Sequence, residues 1–349
     1  MKKPIRLILF LACINIISCK KKGCTDVTAS NYSTEAEKDD GSCTYTTPGE
    51  YVGTASVTQG SAITTTTNLY PSGGRISGLG TITAFDNSEW TVPAAVRYTD
   101  NTMPFAPDLY NSNGTTHASA SLALAAFNSS DIIEIDPSGE VITAYIFADN
   151  YFELYVNDVA VGKDAIPFTE FNSHIIKFKV LAPFTIAMKL VDWEENLGLG
   201  SEDNAGSAYH AGDGGMVAVF TDAAGNTVAT TGSEWKAQTF YTAPIKDLSC
   251  PTETGTIRSS SACNTDGVAD GSSFYALHWE LPSTWMNEAF DDSDWPSATT
   301  YTNSTIGVDT KPSYTNFTDI FDNPTNDAEF IWSTNVILDN EVIVRYTVE

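Results

Sequence analysis

Motifs for reactive chemistry are sparse in this 349-residue chain. Its four histidines, His117, His174, His210 and His278, lie far apart, and His174 reads as a structural residue ahead of a strand. No HExxH, GxSxG or phosphate-cradling glycine motif occurs, so the spacing that a zinc hydrolase, a serine nucleophile or a nucleotide site requires is missing. The 44 Asp and Glu residues leave paired carboxylates for bond hydrolysis open, because that chemistry depends on separation in space. No repeated strand–helix units are present to build a catalytic barrel, and non-catalytic binding is expected over catalysis. Acidic clusters suit a hard cation such as calcium, held by carboxylates and carbonyls. The candidates are Asp26, Asp39 and Asp40, with Glu37 nearby and Gly41 for a tight turn, and Asp291 and Asp292, with Asp294 nearby. The competing readings are a solvated acidic spacer for the first group and an Asp-capped turn for the second. Any such ion is expected to be structural, and no organic cofactor is expected.

The elements that must position these groups are mostly strands. Aromatics reach 11 % and charged residues only 18 %, which describes a folding sequence rather than a disordered acidic one. Short β-branched and aromatic runs separated by Thr, Ser, Asn, Gly and Asp predict a mainly β protein. Strands are expected at Tyr51 to Val57, Gly80 to Ala84, Trp90 to Tyr98, Glu140 to Phe147, Tyr151 to Val156, Ile175 to Val180, Phe184 to Val191, Met216 to Phe220, Trp235 to Tyr241 and Val342 to Val348. Asn157-Asp158 and Ala223 to Asn226 read as turns, and Ser119 to Phe127 as a short helix. The proline-broken stretch Met103 to Tyr110 is expected to pack over the strands. The formal charge is −26, and without Lys2, Lys3 and Arg6 it is −26 − 3 = −29. That excess of carboxylates argues against a nucleic-acid partner.

The start of the chain predicts export. Lys2, Lys3 and Arg6 flank an apolar stretch from Ile5 to Ile17, too short to span a bilayer and suited to a signal peptide. Lys20, Lys21 and Lys22 are placed to meet anionic headgroups. Beyond Cys19 the cysteines number four, in two local pairs, so disulfides Cys24–Cys43 and Cys250–Cys263 are expected in an oxidising compartment. Neither pair has CxxC spacing or a nearby His, so a zinc site is the weaker reading. The expected organisation is a signal peptide over 1–18, an anchor and cysteine-bounded acidic segment over 19–48, and a β body over 49–349. A sub-boundary near residue 130 is the alternative to a single body.

Three resemblances sharpen these expectations. Ile16-Ile17-Ser18-Cys19 resembles the bacterial lipobox, which implies cleavage before Cys19, lipidation of its thiol and a lipid-anchored place in the cell envelope, at the outer membrane or cell surface. Residues 23–45, GCTDVTASNYSTEAEKDDGSCTY, resemble a short cysteine-bounded repeat of exported Bacteroidetes proteins, with Val27 and Ser33-Thr34 departing from its pattern. The stretch Ala148 to Asn157, ADNYFELYVN, resembles the ELYVNG hairpin of galactose-binding-like β-sandwiches. FDDSDWP at 290–296, Ile331-Trp332-Ser333 and the last strand resemble further pieces of that family, though FDDSDWP follows the hairpin here instead of preceding it. The implied fold is a galactose-binding-like or jelly-roll β-sandwich, one large or two packed.

That family commonly binds sugars through loops, with aromatic faces on pyranose rings and Asp, Asn or Arg on the hydroxyls. The resemblance therefore implies a glycan partner. Trp193 and Glu194 lie in VDWEENLG, where an apolar run gives way to a polar Gly-rich loop, and Tyr209, His210 and Asp213 lie in GSAYHAGDGG. Loops carry function more often than strand interiors do, so residues 192–214 are the expected ligand-facing edge. Trp235, Trp279, Trp285 and Trp295 share the chemistry, but Trp is highly buried on average. A structural or adhesive surface protein is the alternative function, and a glycoside hydrolase or its accessory subunit a further one.

Overall fold

The β-branched and aromatic runs fold as strands, which make up 38 % of the chain against 8 % helix. A computed structural model describes residues 20–25, 31–42, 51–168, 171–202, 211–266, 274–325 and 327–349. Cys19 and the leader, Asp26, Cys43, Tyr209 and His210 lie outside the described residues. The chain divides into two compact units, Met1–Thr46 and Thr47–Glu349.

In the first unit a backbone bridge joins Lys22 to Lys38, and Cys24 is buried and disulfide-bonded. The carboxylates of Asp39 and Asp40 accept from the amides of Gly41 and Ser42, each at 3.0 Å. Such short-range turns are what Asp commonly builds for itself.

The second unit is a sandwich of two large sheets. The seven-stranded sheet runs Ser56–Gln59, Tyr275–His278, Lys236–Ile245, Asp339–Val348, Phe184–Val191, Tyr151–Val156 and Val159–Lys163, all neighbours antiparallel. The eight-stranded sheet runs Thr299–Tyr301, Phe330–Trp332, Gly215–Thr221, Glu140–Asp149, Ser173–Val180 and Asp108–Tyr110, with Thr227–Thr230 and Ile133–Glu134 paired alongside. From Glu140 to Ile245 the chain passes repeatedly between the two sheets, as in a jelly roll. Ile142 and Ile146 of one sheet meet Leu154, Met188, Leu190 and Val344 of the other in one core. A smaller sheet of Ile63–Thr66, Leu79–Thr83 and Glu89–Val92 joins through Ile82 and Val92.

Both large sheets are also covered on their outer faces. Tyr155, Ala187, Phe240 and Ile343 pack outward against Met103, Trp279, Trp285 and Trp295. The Cys250–Cys263 disulfide lies in this cover, its two ends 13 positions apart in sequence. On the other sheet Phe147 meets Tyr314 edge-on at 5.9 Å, from a string of short helices at Asn303–Ile306, Pro312–Thr315 and Thr318–Phe321. Strands buried on both faces read as continuous apolar runs rather than alternating ones, and every residue of Phe184–Val191 is buried.

Several local expectations agree with the structure. Tyr151–Val156 and Phe184–Val191 keep their expected bounds, and the helix spans Ala120–Ala126. Asn157 and Asp158 have φ of 47° and 70°, the left-handed pair that a tight hairpin turn needs. Met103 and Ala106 of the proline-broken stretch are buried. Other expectations differ. The strand expected from Trp90 to Tyr98 ends at Val92, where Pro93 removes the next ladder N–H. The strand expected from Tyr51 begins at Ser56. The C-terminal helices of four residues each were not expected, because they are too short to show a helical period.

His278 is buried between Tyr241 and Trp90, at ring-centroid distances of 4.7 and 5.3 Å, with Nε2 2.9 Å from Thr58 Oγ1. Burial pushes its pKa down from 6.5 to about 3, with Asp86 acting in the opposite sense. Between those values the unfolded chain binds a proton that the folded chain refuses, so this residue's stability contribution is complete above pH 6.5 and declines as pH falls. The stability advantage of wild type over His278→Phe should shrink by about 1.4 kcal/mol per pH unit below 6.5. Denaturant midpoints from pH 7 to 4 check this; a constant difference would contradict it.

Candidate binding cleft

The ends of the two sheets are tied at Asn150. Its amide donates to the Val191 carbonyl at 3.1 Å, and its side-chain oxygen accepts from the Trp193 amide at 2.5 Å. Asp149 closes its strand on one sheet, and Asp192 follows directly after its strand on the other. Two carboxylates are thereby delivered to the same end of the sandwich.

Trp193 and Glu194 turn away from solvent. Trp193 is fully buried with Ala94, Tyr151, Phe168 and Val191, and its indole N–H donates to the Gly78 carbonyl at 3.1 Å. This corrects the expectation of a stacking platform: Trp193 continues the outer face of the seven-stranded sheet, which is covered. Glu194 is also buried. It accepts from the amides of Gly198 and Gly200 and from the Tyr241 hydroxyl, so it pins the loop rather than a ligand. Burial pushes its pKa up to about 7 against the lowering effect of those donors. Trp235, Trp279, Trp285 and Trp295 are buried as well.

The acidic residues near the C-terminus are occupied locally. Asp292 Oδ2 accepts from Arg345 Nε at 2.7 Å, and Asp291 Oδ1 accepts from the Ser293 amide at 3.1 Å. Asp39 and Asp40 accept from amides of their own turns, and Asp26 of the same expected group lies outside the described residues. Among the described residues, no three His, Cys, Asp or Glu side chains converge as a ready metal site. His174 is fully buried, with Nε2 3.2 Å from Asp164 Oδ2.

Of the expected ligand-facing residues, Asp213 does reach a cleft. It lines a 140 Å³ recess with Asp149, Asn150 and Glu202. Arg75, Phe168, Phe171 and Lys311 also line this recess, and the same four line an adjoining cavity of 390 Å³. Tyr110, Ser112, Asn113 and Ser313 complete the polar wall of the larger space. No protein-family model, curated protein or solved structure matches the chain. Its chemistry is therefore read from these groups alone.

The recess is strongly acidic. Arg75 is paired with Glu195 at 3.1 Å and with Glu202, and its guanidinium lies 4.5 Å over the Phe168 ring. Lys311 lies 4.4 Å over Phe171. Burial pushes the Asp149 carboxyl well above its ordinary range, and Asp213 and Glu202 push it further, against Lys311 and Arg75. Asp192 is raised in the same way, by burial first and then by Glu202, Asp149 and Asp213. The cations balance only part of this charge. By contrast, among the described residues no carboxylate side chain lines the larger cavity.

The residues that sequence reasoning missed are Arg75, Asp149, Phe171 and Lys311, while Asp192 and Glu202 fall within the expected 192–214 edge without being singled out. Asp149 and Asp192 do carry a signal, since each terminates a long apolar run (VITAYIFAD and FTIAMKLVD). For Trp193→Ala, a buried truncation of this size should cost about 3–5 kcal/mol. Urea unfolding checks this. An unchanged midpoint would show that the side chain is not part of the core.

Proposed function

We propose that this chain is a non-catalytic, lipid-anchored envelope protein that binds carbohydrate in the 390 Å³ cavity. The observation carrying the binding reading is the cavity's size and lining. It falls within the roughly 300–1,000 Å³ of small-ligand sites, whereas the 140 Å³ acidic recess is too small to hold a sugar unit with its neighbours. Ser112, Asn113, Ser313 and Arg75 offer hydroxyl, amide and guanidinium partners for sugar hydroxyls, and Tyr110 adds an aromatic wall. The lining side chains among the described residues are hydroxyl, amide, aromatic and cationic groups suited to capture; glycosidic hydrolysis needs two carboxylates beside the scissile bond. Anchoring rests on the basic and apolar leader ahead of Cys19.

Glycan-array binding by the purified full chain tests the reading. Selective binding should weaken at least tenfold in Tyr110→Ala and Asn113→Ala. No binding by folded protein, or binding indifferent to both variants, would favour an adhesive or structural role. Palmitate labelling in the bacterial host should be lost in Cys19→Ala; retained label would remove the anchor.

A further inference from the structure

Beside the carboxylates of the acidic recess lie buried oxygens that lack a donor. Asp192 is 3 % exposed, and its Oδ1 has no hydrogen-bond partner. Asn340 Oδ1 is likewise buried and unpartnered. The two residues face each other across paired strands, because Val191 is in register with Glu341 and the Asp192 amide donates to the Asn340 carbonyl at 2.9 Å. Buried acceptors are normally satisfied, so two orphans side by side call for an electropositive partner.

Gly212 marks where that partner sits. A methyl group there would stand 2.7 Å from Asp192 Oδ1 and 2.8 Å from Glu202 Oε1. Both oxygens thus border the space left by the missing side chain, at most 2.7 + 2.8 = 5.5 Å apart. The other oxygen of Glu202 is engaged by Arg75, which fixes the carboxylate in place. Asp149, Asp213 and Glu194 all add negative potential at Asp192.

We propose that Asp192 and Glu202, with the Asn340 amide oxygen, hold a calcium ion in the space in front of Gly212. The donors are all oxygen and include no thiolate or imidazole, which selects a hard cation over zinc or copper. Two carboxylates and a neutral amide leave room for solvent ligands, in the irregular geometry that calcium accepts and magnesium resists. The ion balances a charge excess that Arg75 and Lys311 leave standing. None of its three ligands lines the larger cavity, so this inference does not depend on glycan binding.

Calorimetric titration of the full chain with calcium chloride, without glycan, tests it, paired with thermal unfolding in about millimolar calcium or in chelator. One site per chain is expected, with unfolding raised by at least ~2 °C. Magnesium should substitute poorly. Asp192→Asn and Gly212→Ala should each abolish the heat and the shift. Gly212→Ala guards against misfolding in the first variant, since Gly212 does not adopt the left-handed backbone that would exclude alanine. Asp39→Asn/Asp40→Asn should leave both signals unchanged. No heat and no shift would overturn the proposal. So would a site that survives in Gly212→Ala or disappears in the Asp39/Asp40 variant.

Discussion

Full charges buried beneath the outer cover of the seven-stranded sheet hold this molecule in its present form. Lys163, Glu153 and Lys189 are direct cross-strand neighbours, each at most 5 % exposed. Lys163 donates to the carbonyls of Arg97, Tyr98 and Asp100, each at 2.7 Å, and Lys189 donates to that of Ala95 while pairing with Glu341 at 2.9 Å. Arg345 reaches Asp292 and the carbonyls of Trp285 and Asn287. A buried charge costs several kcal/mol unless paired and hydrogen-bonded. Each of these therefore remains tolerable only while a particular loop stays in place. The covering segments are fixed by that condition as much as by apolar contact.

The cleft follows from the same arrangement. With both outer faces covered, the remaining open surface near these strand termini is at the end of the sandwich, where Asp149 and Asp192 emerge. Loops bearing Arg75, Asn113, Phe171 and Lys311 converge there from distant parts of the chain. The Asn150 side chain couples the two sheets at that end through the Trp193 amide, so the walls are set by both layers rather than by one loop.

How much was legible depended on whether a feature was local. The long strands and the Asn157-Asp158 turn follow from residues adjacent in sequence, and the Cys250–Cys263 bridge from a short separation. Asp213 was found because it lies in a polar loop. Trp193 misled for a physical reason: its loop context is polar, but strand parity places it on a covered face, and parity shows solvent only when the cover is known. Arg75, Phe171 and Lys311 were illegible because no local pattern connects residues so far apart. Asp292 looked like a cation ligand by composition, while its partner Arg345 stands 53 positions away.

The order of strands has one more consequence. Both large sheets place long strands of eight to ten residues near their centres and end in short ones: Ser56–Gln59 and Val159–Lys163 in one, Thr299–Tyr301 and Asp108–Tyr110 in the other. A terminal strand exposes unpaired amides and carbonyls that can template a neighbouring chain. With only three to five residues at each rim, an incoming strand finds too little ladder to extend. A β-rich protein crowded among its own copies is thereby protected from edge-to-edge growth by the tapering of its sheets.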